Sequence, residues 1–245
     1  MIYPSTASAN LDSKVVVVVY GDLLSQPTRM VLQVAACLNV PVDFQRVNLM
    51  AGDLQTKSFL AMNPMGQMPT LRQGDFTLFE SNAISRFLVA SSGNANHPLY
   101  PSDVKTRARI DQWLDWKHGG LREGCTGTLR RSFFAEMVNQ LDESKTYAAK
   151  LKRYLNEVPV ERETRLMLEA LKTVEDQLAI TGLFIVQGTT QPTLADIALF
   201  EEIDALSMLP FIPPVDDELR PPLVFKQNYA SLPIYKLMRS FFNAR

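Results

Sequence analysis

The sequence predicts an α/β domain at residues 14–91 followed by an all-helical domain at residues 102–245. Three observations lead to this prediction. Short β-branched runs alternate with helical segments in the first half, whereas apolar residues in the second half recur at helical spacing. Between the halves, residues 91–101 are rich in Ser, Gly, Asn and Pro, a composition typical of a linker.

The first half has the order βαβ, then a helix, then ββα. The apolar run at 15–20 is typical of a central strand covered on both faces, and Pro27 suits the first turn of the helix that follows. The crossover makes the first two strands parallel, and a Gln-Gly-Asp turn makes the last two an antiparallel hairpin. Strands are predicted at 15–20, 42–49, 68–71 and 76–79, and helices at 29–38, 54–61 and 80–90.

The second half is expected to contain helices alone. Apolar side chains at helical spacing predict one helix around residues 110–114 and another at 166–178. Thr193 and Asp196 have the spacing of a capping box, so that Thr193 is expected to be the N-cap of a further helix.

The composition disfavours several classes of function. A formal net charge of −1, without a long run of one sign, favours neither nucleic acid nor a membrane surface as a partner. Residues 1–13 lack the pattern of a secretory signal, and the run at 15–19 is too short to cross a bilayer. The two cysteines lie far apart, which fits a reducing compartment, and we expect a cytoplasmic protein. No histidines or cysteines have metal-ligand spacing, so no metal is expected.

Ser25 is the first candidate for chemistry. It lies in the turn between the first strand and the first helix, where open α/β sheets bind ligands. A hydroxyl there can donate a hydrogen bond to an anion that the helix N-terminus also attracts. The alternative is a serine that only caps the helix.

Two further candidate binding features flank the predicted hairpin, one on each side. If the Met68–Pro69 bond is cis, the Met68 backbone is free to pair with an extended peptide; otherwise Pro69 is an ordinary edge proline. After the hairpin, Ser81 can hold a carboxylate at the start of a helix, and Glu80 can bind an amine. The alternative is that Ser81 only caps the helix and Glu80 is a solvated surface residue. A small ligand with a carboxylate, an ammonium group and a thiol would match all three features.

These stretches resemble the glutathione transferases, and the theta class above all. Residues 22–29 resemble the serine turn of that class, residues 63–71 the loop with its cis-proline, and residues 79–84 the motif that binds the γ-glutamyl end. The resemblance implies a thioredoxin-like N-terminal domain, a C-terminal helical bundle and a two-fold dimer. It also implies a detoxifying enzyme that conjugates glutathione, its co-substrate, to hydrophobic electrophilic small molecules without a further cofactor. Peroxidase or dehalogenase activity would be related chemistry.

By this resemblance Ser25 is the catalytic residue. The thiolate of glutathione is the nucleophile, and a hydroxyl that donates to the sulfur lowers the thiol pKa. Tyr20 is a rival hydroxyl, because other classes use a tyrosine near the end of the first strand, but we expect it to be a packing residue. The glutathione-binding residues carried over are Gln55, Gln67, Met68, Pro69, Glu80 and Ser81.

The resemblance also places an active-site arginine at Arg122, whose guanidinium would further favour the thiolate. On a single helix, one face would carry Asp111, Asp115, His118 and Arg122. That face would either line the active site or form an exposed, ion-paired surface.

The chain departs from the theta pattern in several places. Gln55 and Gln67 stand where theta enzymes often have basic residues, and both are expected to contact glutathione through polar groups. The segment at 138–162 is expected to be an extended helix or a loop, and the C-terminal helical lid to be short or absent. Two other functions remain open at this point: a non-catalytic scaffold on the same fold, and a carrier of hydrophobic ligands.

Overall fold

A computed structural model describes residues 16–49, 51–138, 149, 153 and 160–208. The chain divides into two compact units, Met1–Arg107 and Ala108–Arg245. Most of the segment at 138–162 and the C-terminal region with the expected lid lie outside the described residues. None of the described helices has the length and apolar character needed to cross a membrane.

The described residues before the linker of the N-terminal unit form four strands and three α-helices. They are β1 (Val17–Gly21), α1 (Gln26–Cys37), β2 (Val42–Arg46), α2 (Lys57–Met62), β3 (Thr70–Gln73), β4 (Phe76–Phe79) and α3 (Ser81–Ser91), with a 3-10 helix (Asp53–Gln55) before α2. The strand order is β2-β1-β3-β4; β1 and β2 are parallel, and the other pairs are antiparallel. This mixed sheet, with helices in the predicted order, confirms the predicted α/β domain of thioredoxin-like type.

Several predicted boundaries differ from the structure: the third strand lies at Thr70–Gln73 instead of 68–71, and the helix expected at 54–61 is a 3-10 helix followed by α2. Two further differences have a local cause. The second strand ends at Arg46 instead of residue 49, because side chains take over the backbone hydrogen bonds: Asp53 Oδ2 accepts from the Asn48 N–H at 2.7 Å. Helix α1 begins three residues earlier than its apolar periodicity indicates, because Ser25 caps it.

The strand β1 contributes to two apolar clusters. Val17 and Val19 are buried in the core of the unit, where Met30 of α1 and Ile84 of α3 are also fully buried. On the other face, Tyr20 packs against a cluster formed by Val47, Leu54 and Phe59. The Tyr20 and Phe59 rings meet edge to face, with 6.5 Å between centroids. Tyr20 is therefore a packing residue, as expected.

The C-terminal region is helical, which confirms the predicted all-α half. Its described helices are α4 (Val104–Gly119), α5 (Leu121–Val138), α6 (Val160–Thr181) and α7 (Leu194–Asp204). Helix α5 lies very close to α6 at Gly124, where a Cβ atom would stand 2.3 Å from the Met167 backbone nitrogen. The capping box at Thr193 and Asp196 is confirmed: Asp196 Oδ2 accepts from the Thr193 N–H at 2.7 Å.

The expected single helix through residues 111–122 is wrong. Helix α4 ends at Gly119, Gly120 forms a turn, and α5 begins at Leu121. Two consecutive glycines favour such a break, because they have low helix propensity and high backbone freedom. Arg122 therefore lies on a different helix from the acidic residues at 111 and 115.

Candidate active site

The register of the sheet brings the three candidate features to one edge. Tyr20, Thr70 and Phe79 lie side by side in β1, β3 and β4. Strands β1 and β4 end at this edge, and β3 begins there. The same edge therefore carries the turn with Ser25, the loop with Pro69 and the turn with Glu80. Strands lie about 4.8 Å apart, so the turns after β1 and β4 start roughly 10 Å from each other.

Ser25 is both a helix cap and an available hydrogen-bond donor. Its Oγ accepts from the Thr28 N–H at 3.4 Å, and its backbone is extended, as an N-cap requires. Accepting that bond uses a lone pair of the oxygen, and no described residue accepts the hydroxyl proton. The two interpretations of Ser25 are thus compatible, because one oxygen can accept from the helix and donate to a ligand.

Polar contacts fix the turn that carries Ser25. The Ser25 N–H donates to the Asp22 carbonyl at 3.0 Å, and the Leu24 N–H donates to Asp22 Oδ1 at 2.9 Å. Arg46 Nε donates to the other carboxylate oxygen of Asp22 at 3.0 Å, and Arg29 Nη1 donates to the Leu23 carbonyl at 3.0 Å. The sequence analysis missed Asp22 and Arg46, since nothing local links residues 24 positions apart.

The Pro69 loop is organised by Asn63, which the sequence analysis did not single out. The Met68–Pro69 bond is cis. The buried Asn63 side chain donates to the Gln67 carbonyl at 2.8 Å and accepts from the Met65 N–H at 3.0 Å. No described residue hydrogen-bonds to the Met68 backbone. The loop therefore holds its shape from within and leaves Met68 available.

The two candidate glutamines lie close to each other. Gly66 has a φ of 59°, and the Gln55 Nε2 atom is 2.7 Å from the position that a Cβ atom on Gly66 would occupy. The Gln55 side chain consequently lies against the backbone next to Gln67. Both glutamines are exposed. The structure brings them together with Met68 and Pro69 in the N-terminal unit.

Glu80 has a strained backbone at the start of α3. Its φ of 72° is uncommon for a residue with a side chain, and such strain is concentrated at functional sites. Glu80, and not Ser81, is the N-cap residue, and its side chain makes no capping hydrogen bond. The first N–H groups of α3 are therefore without a side-chain cap, an arrangement that suits an anionic group. Ser81 is buried as the first helical residue.

Arg122 belongs to a buried charge cluster in the C-terminal unit. Its Nη1 atom lies 2.6 Å from Glu202 Oε1, and the Thr126 hydroxyl donates to Glu202 Oε2 at 3.2 Å. Burial opposes ionisation of Glu202, but the charges of Arg122 and Lys117 and these hydrogen bonds outweigh it, so the pKa of Glu202 is lowered. About a quarter of the Arg122 side chain, 26%, stays exposed. Arg122 is thus ion-paired, which was one of the two alternatives, but its partner is the buried Glu202 of α7.

Comparisons with known proteins agree with this fold. Residues 17–90 match the family model of the glutathione S-transferase N-terminal domain. The chain is 33% identical to human glutathione S-transferase theta-2B over 182 residues, which cover 74% of this chain and 68% of that protein. It is 32% identical to human glutathione S-transferase theta-1, with 75% and 70% covered.

A solved structure gives the same result. The human theta-class glutathione transferase in complex with the glutathione conjugate of 1-menaphthyl sulfate matches with a TM-score of 0.68 at 27% identity, covering 91% of this chain and 80% of that one. The chain belongs to the glutathione S-transferase family, within its theta class. It is accordingly a transferase that conjugates glutathione, as the resemblance implied.

Proposed function

We propose that Ser25 activates glutathione in this enzyme by donating its hydroxyl hydrogen bond to the sulfur. The observation that carries the proposal is the position of Ser25 at the N-terminus of α1. Its hydroxyl oxygen accepts a hydrogen bond from the Thr28 N–H, and no described residue accepts its hydroxyl proton. Hydrogen bonding to the thiolate and the positive end of the helix both favour the charged form, and so lower the thiol pKa.

The reaction then proceeds at the electrophile. The bound thiol loses its proton to solvent, and the thiolate sulfur forms a bond to an electrophilic carbon. A leaving group departs with its bonding electron pair, or a double bond accepts the electrons and later a proton. The thiolate is itself the nucleophile, so the chemistry requires no further cofactor. Hydrophobic electrophiles are the proposed acceptors.

The edge of the sheet supplies the proposed glutathione contacts. The γ-glutamyl carboxylate binds the uncapped start of α3 at Ser81, and Glu80 binds the ammonium group. The backbone of Met68, before Pro69, pairs with the extended peptide as an added strand would. Gln55 and Gln67 donate side-chain amide hydrogen bonds.

Arg122 enters the proposal from the family resemblance. Its guanidinium is proposed to add positive charge near the sulfur, while Glu202 engages one of its nitrogens. The family further supports a homodimer located in the cytoplasm, which size measurement in solution and cell fractionation would test.

The test compares Ser25→Ala with Ser25→Thr, which keeps a hydroxyl. Calorimetry measures glutathione binding, and the ultraviolet absorbance of the thiolate measures its pKa when bound. We expect Ser25→Ala to bind glutathione but to conjugate it about 100-fold more slowly at neutral pH, as for the loss of one anion-stabilising donor. Loss of the cap costs about 1 kcal/mol, which thermal unfolding checks separately.

Other outcomes have defined meanings. Equal rates for Ser25→Ala and the parent across pH would contradict the proposal and transfer the role to Tyr20 or Arg122. If the parent does not bind glutathione at millimolar concentration, the proposed glutathione contacts are contradicted, the scaffold alternative gains support, and Gln55 and Gln67 are the first residues to examine.

A further inference from the structure

We propose that Asp22, held by Arg46, is the positioning residue that keeps the Ser25 hydroxyl aligned with the glutathione sulfur. This inference rests on the proposed role of Ser25. It concerns two residues that do not touch the sulfur and act through the shape of the turn between β1 and α1.

Asp22 makes three contacts that together define this turn. Its carbonyl accepts from the Ser25 N–H at 3.0 Å, and its Oδ1 atom accepts from the Leu24 N–H at 2.9 Å. Its Oδ2 atom accepts from Arg46 Nε at 3.0 Å. Since the two carboxylate oxygens bind groups on different parts of the chain, the carboxylate cannot rotate without losing one of them.

The sheet holds Arg46 in place. Arg46 lies directly opposite Gly21 in the parallel ladder of β1 and β2, and the next residue, Val47, donates its N–H to the Gly21 carbonyl at 2.9 Å. Asp22 follows Gly21 immediately. The ion pair thus connects the turn to the sheet.

Apolar packing does not hold this turn. The Leu23 and Leu24 side chains are 58% and 51% exposed, so little burial restrains the backbone just before Ser25. Polar contacts must therefore set its conformation: those of Asp22, and the hydrogen bond from Arg29 to the Leu23 carbonyl. The side chain of Asp22 is 12% exposed and that of Arg46 74% exposed. Solvent screens the exposed Arg46 side of this pair, so Arg46→Gln is expected to cost little overall stability, which helps to separate a positioning role from a purely structural one.

The position of Ser25 matters because hydrogen bonds weaken steeply with distance and angle. If the turn loses the Asp22 carboxylate or its arginine, the Ser25 hydroxyl spends less time aligned with the sulfur. The pKa of the bound thiol then rises, and the rate falls at neutral pH. At a pH where the thiol ionises without help, the rate recovers.

The experiment uses Asp22→Asn and Arg46→Gln in the full chain, with Asp43→Asn as the matched control. Asp43 is an exposed acid on β2 that accepts from Gln45 Nε2. Both test variants should raise the pKa of bound glutathione by about one unit, which corresponds to up to about tenfold less thiolate at a pH below that pKa. The KM for glutathione should change much less than kcat, and the control should match the parent.

Two further variants make the result decisive. Arg46→Lys keeps a cation and should lie closer to the parent than Arg46→Gln, which a purely structural role would not predict. In a Ser25→Ala background, Asp22→Asn should cause no additional rise in the thiol pKa. If Asp22→Asn fails to fold, Arg46→Gln carries the test, since Arg46 is a surface residue.

Failure of this inference is distinguishable from failure of the proposed function. If Ser25→Ala raises the thiol pKa but Asp22→Asn and Arg46→Gln do not, Asp22 is not a positioning residue. If Ser25→Ala itself leaves the thiol pKa unchanged, the role of Ser25 is wrong and the inference falls with it.

Discussion

Two glycines in the helical region differ in the space around them: Gly124 is tightly packed, and Gly119 is not. A Cβ atom on Gly124 in α5 would stand 2.3 Å from the backbone nitrogen of Met167 in α6, and backbone atoms cannot move aside. A Cβ atom on Gly119, at the end of α4, would meet nothing within 4 Å. The same substitution should therefore have opposite effects at the two positions.

Gly124→Ala should lower the free energy of unfolding by about 1–3 kcal/mol, because the added methyl group forces α5 and α6 apart. Gly119→Ala should raise it by up to about 1 kcal/mol, because alanine has the higher helix propensity and loses less backbone entropy. Urea unfolding measures both. Equal effects of the two substitutions would contradict the close contact between α5 and α6.

Among the elements, helix α7 depends on a single buried side chain at its start. Besides its bonds to Thr193, Asp196 accepts from the Ile185 N–H at 2.8 Å. Burial, the largest effect, raises the pKa of Asp196, and the hydrogen bonds from Ile185, from Thr193 and from its own backbone N–H only partly oppose it. This carboxylate therefore joins the first turn of α7 to the segment before it, while residues 194–203 are all buried.

Asp196→Ala should lower the free energy of unfolding by about 2–4 kcal/mol, because it removes the capping box and leaves buried N–H groups without acceptors. The control is Asp176→Ala in α6, which removes an exposed acid paired with Lys172 four residues away. That change should cost less than about 0.5 kcal/mol. A similar loss of stability in both variants would argue against the capping role.

For the molecule as a whole, buried carboxyls link stability to pH in opposite directions. The pKa of Glu202 is lowered in the folded state, so its contribution is present above the ordinary glutamate value of 4.5 and is lost as pH falls through the folded pKa. Burial raises the pKa of Glu163 despite its ion pair with Arg131. The contribution of Glu163 therefore decreases as pH rises through its ordinary range.

Glu202→Gln tests the acid side of this dependence. At neutral pH it leaves the positive charges of Arg122 and Lys117 without their buried counter-charge and should cost about 3–5 kcal/mol. Below pH 4.5 the cost should shrink, because Glu202 of the unfolded parent then binds a proton, and it should disappear once pH falls through the lowered folded pKa. Urea unfolding at neutral and acid pH measures the difference. A cost that does not vary with pH would contradict the lowered pKa of Glu202.

Sequence patterns sufficed for the order of strands and helices and for the parts of the site that follow directly from it. The signals that sufficed are local ones: the composition of the strands, Pro27 and the capping box at Thr193. Each involves residues that are close together in the sequence and can therefore be recognised without the fold. The candidates Ser25, Pro69 and Ser81 were found because each adjoins a predicted strand or helix, and strand register then brings them to one edge.

The tertiary structure alone decided which charged side chains pair with each other. Asp22 pairs with Arg46 across 24 positions, and Arg122 pairs with Glu202 across 80 positions. The sequence predicted one helix through residues 111–122. The structure instead has a break between α4 and α5, which places Arg122 on α5. Ion pairs of this kind form where the fold happens to bring charges together, and no spacing along the chain records that distance. The sequence by itself thus determined the family and the order of the elements and predicted Ser25 as the candidate hydroxyl, whereas only the structure showed the contacts that surround the turn of Ser25.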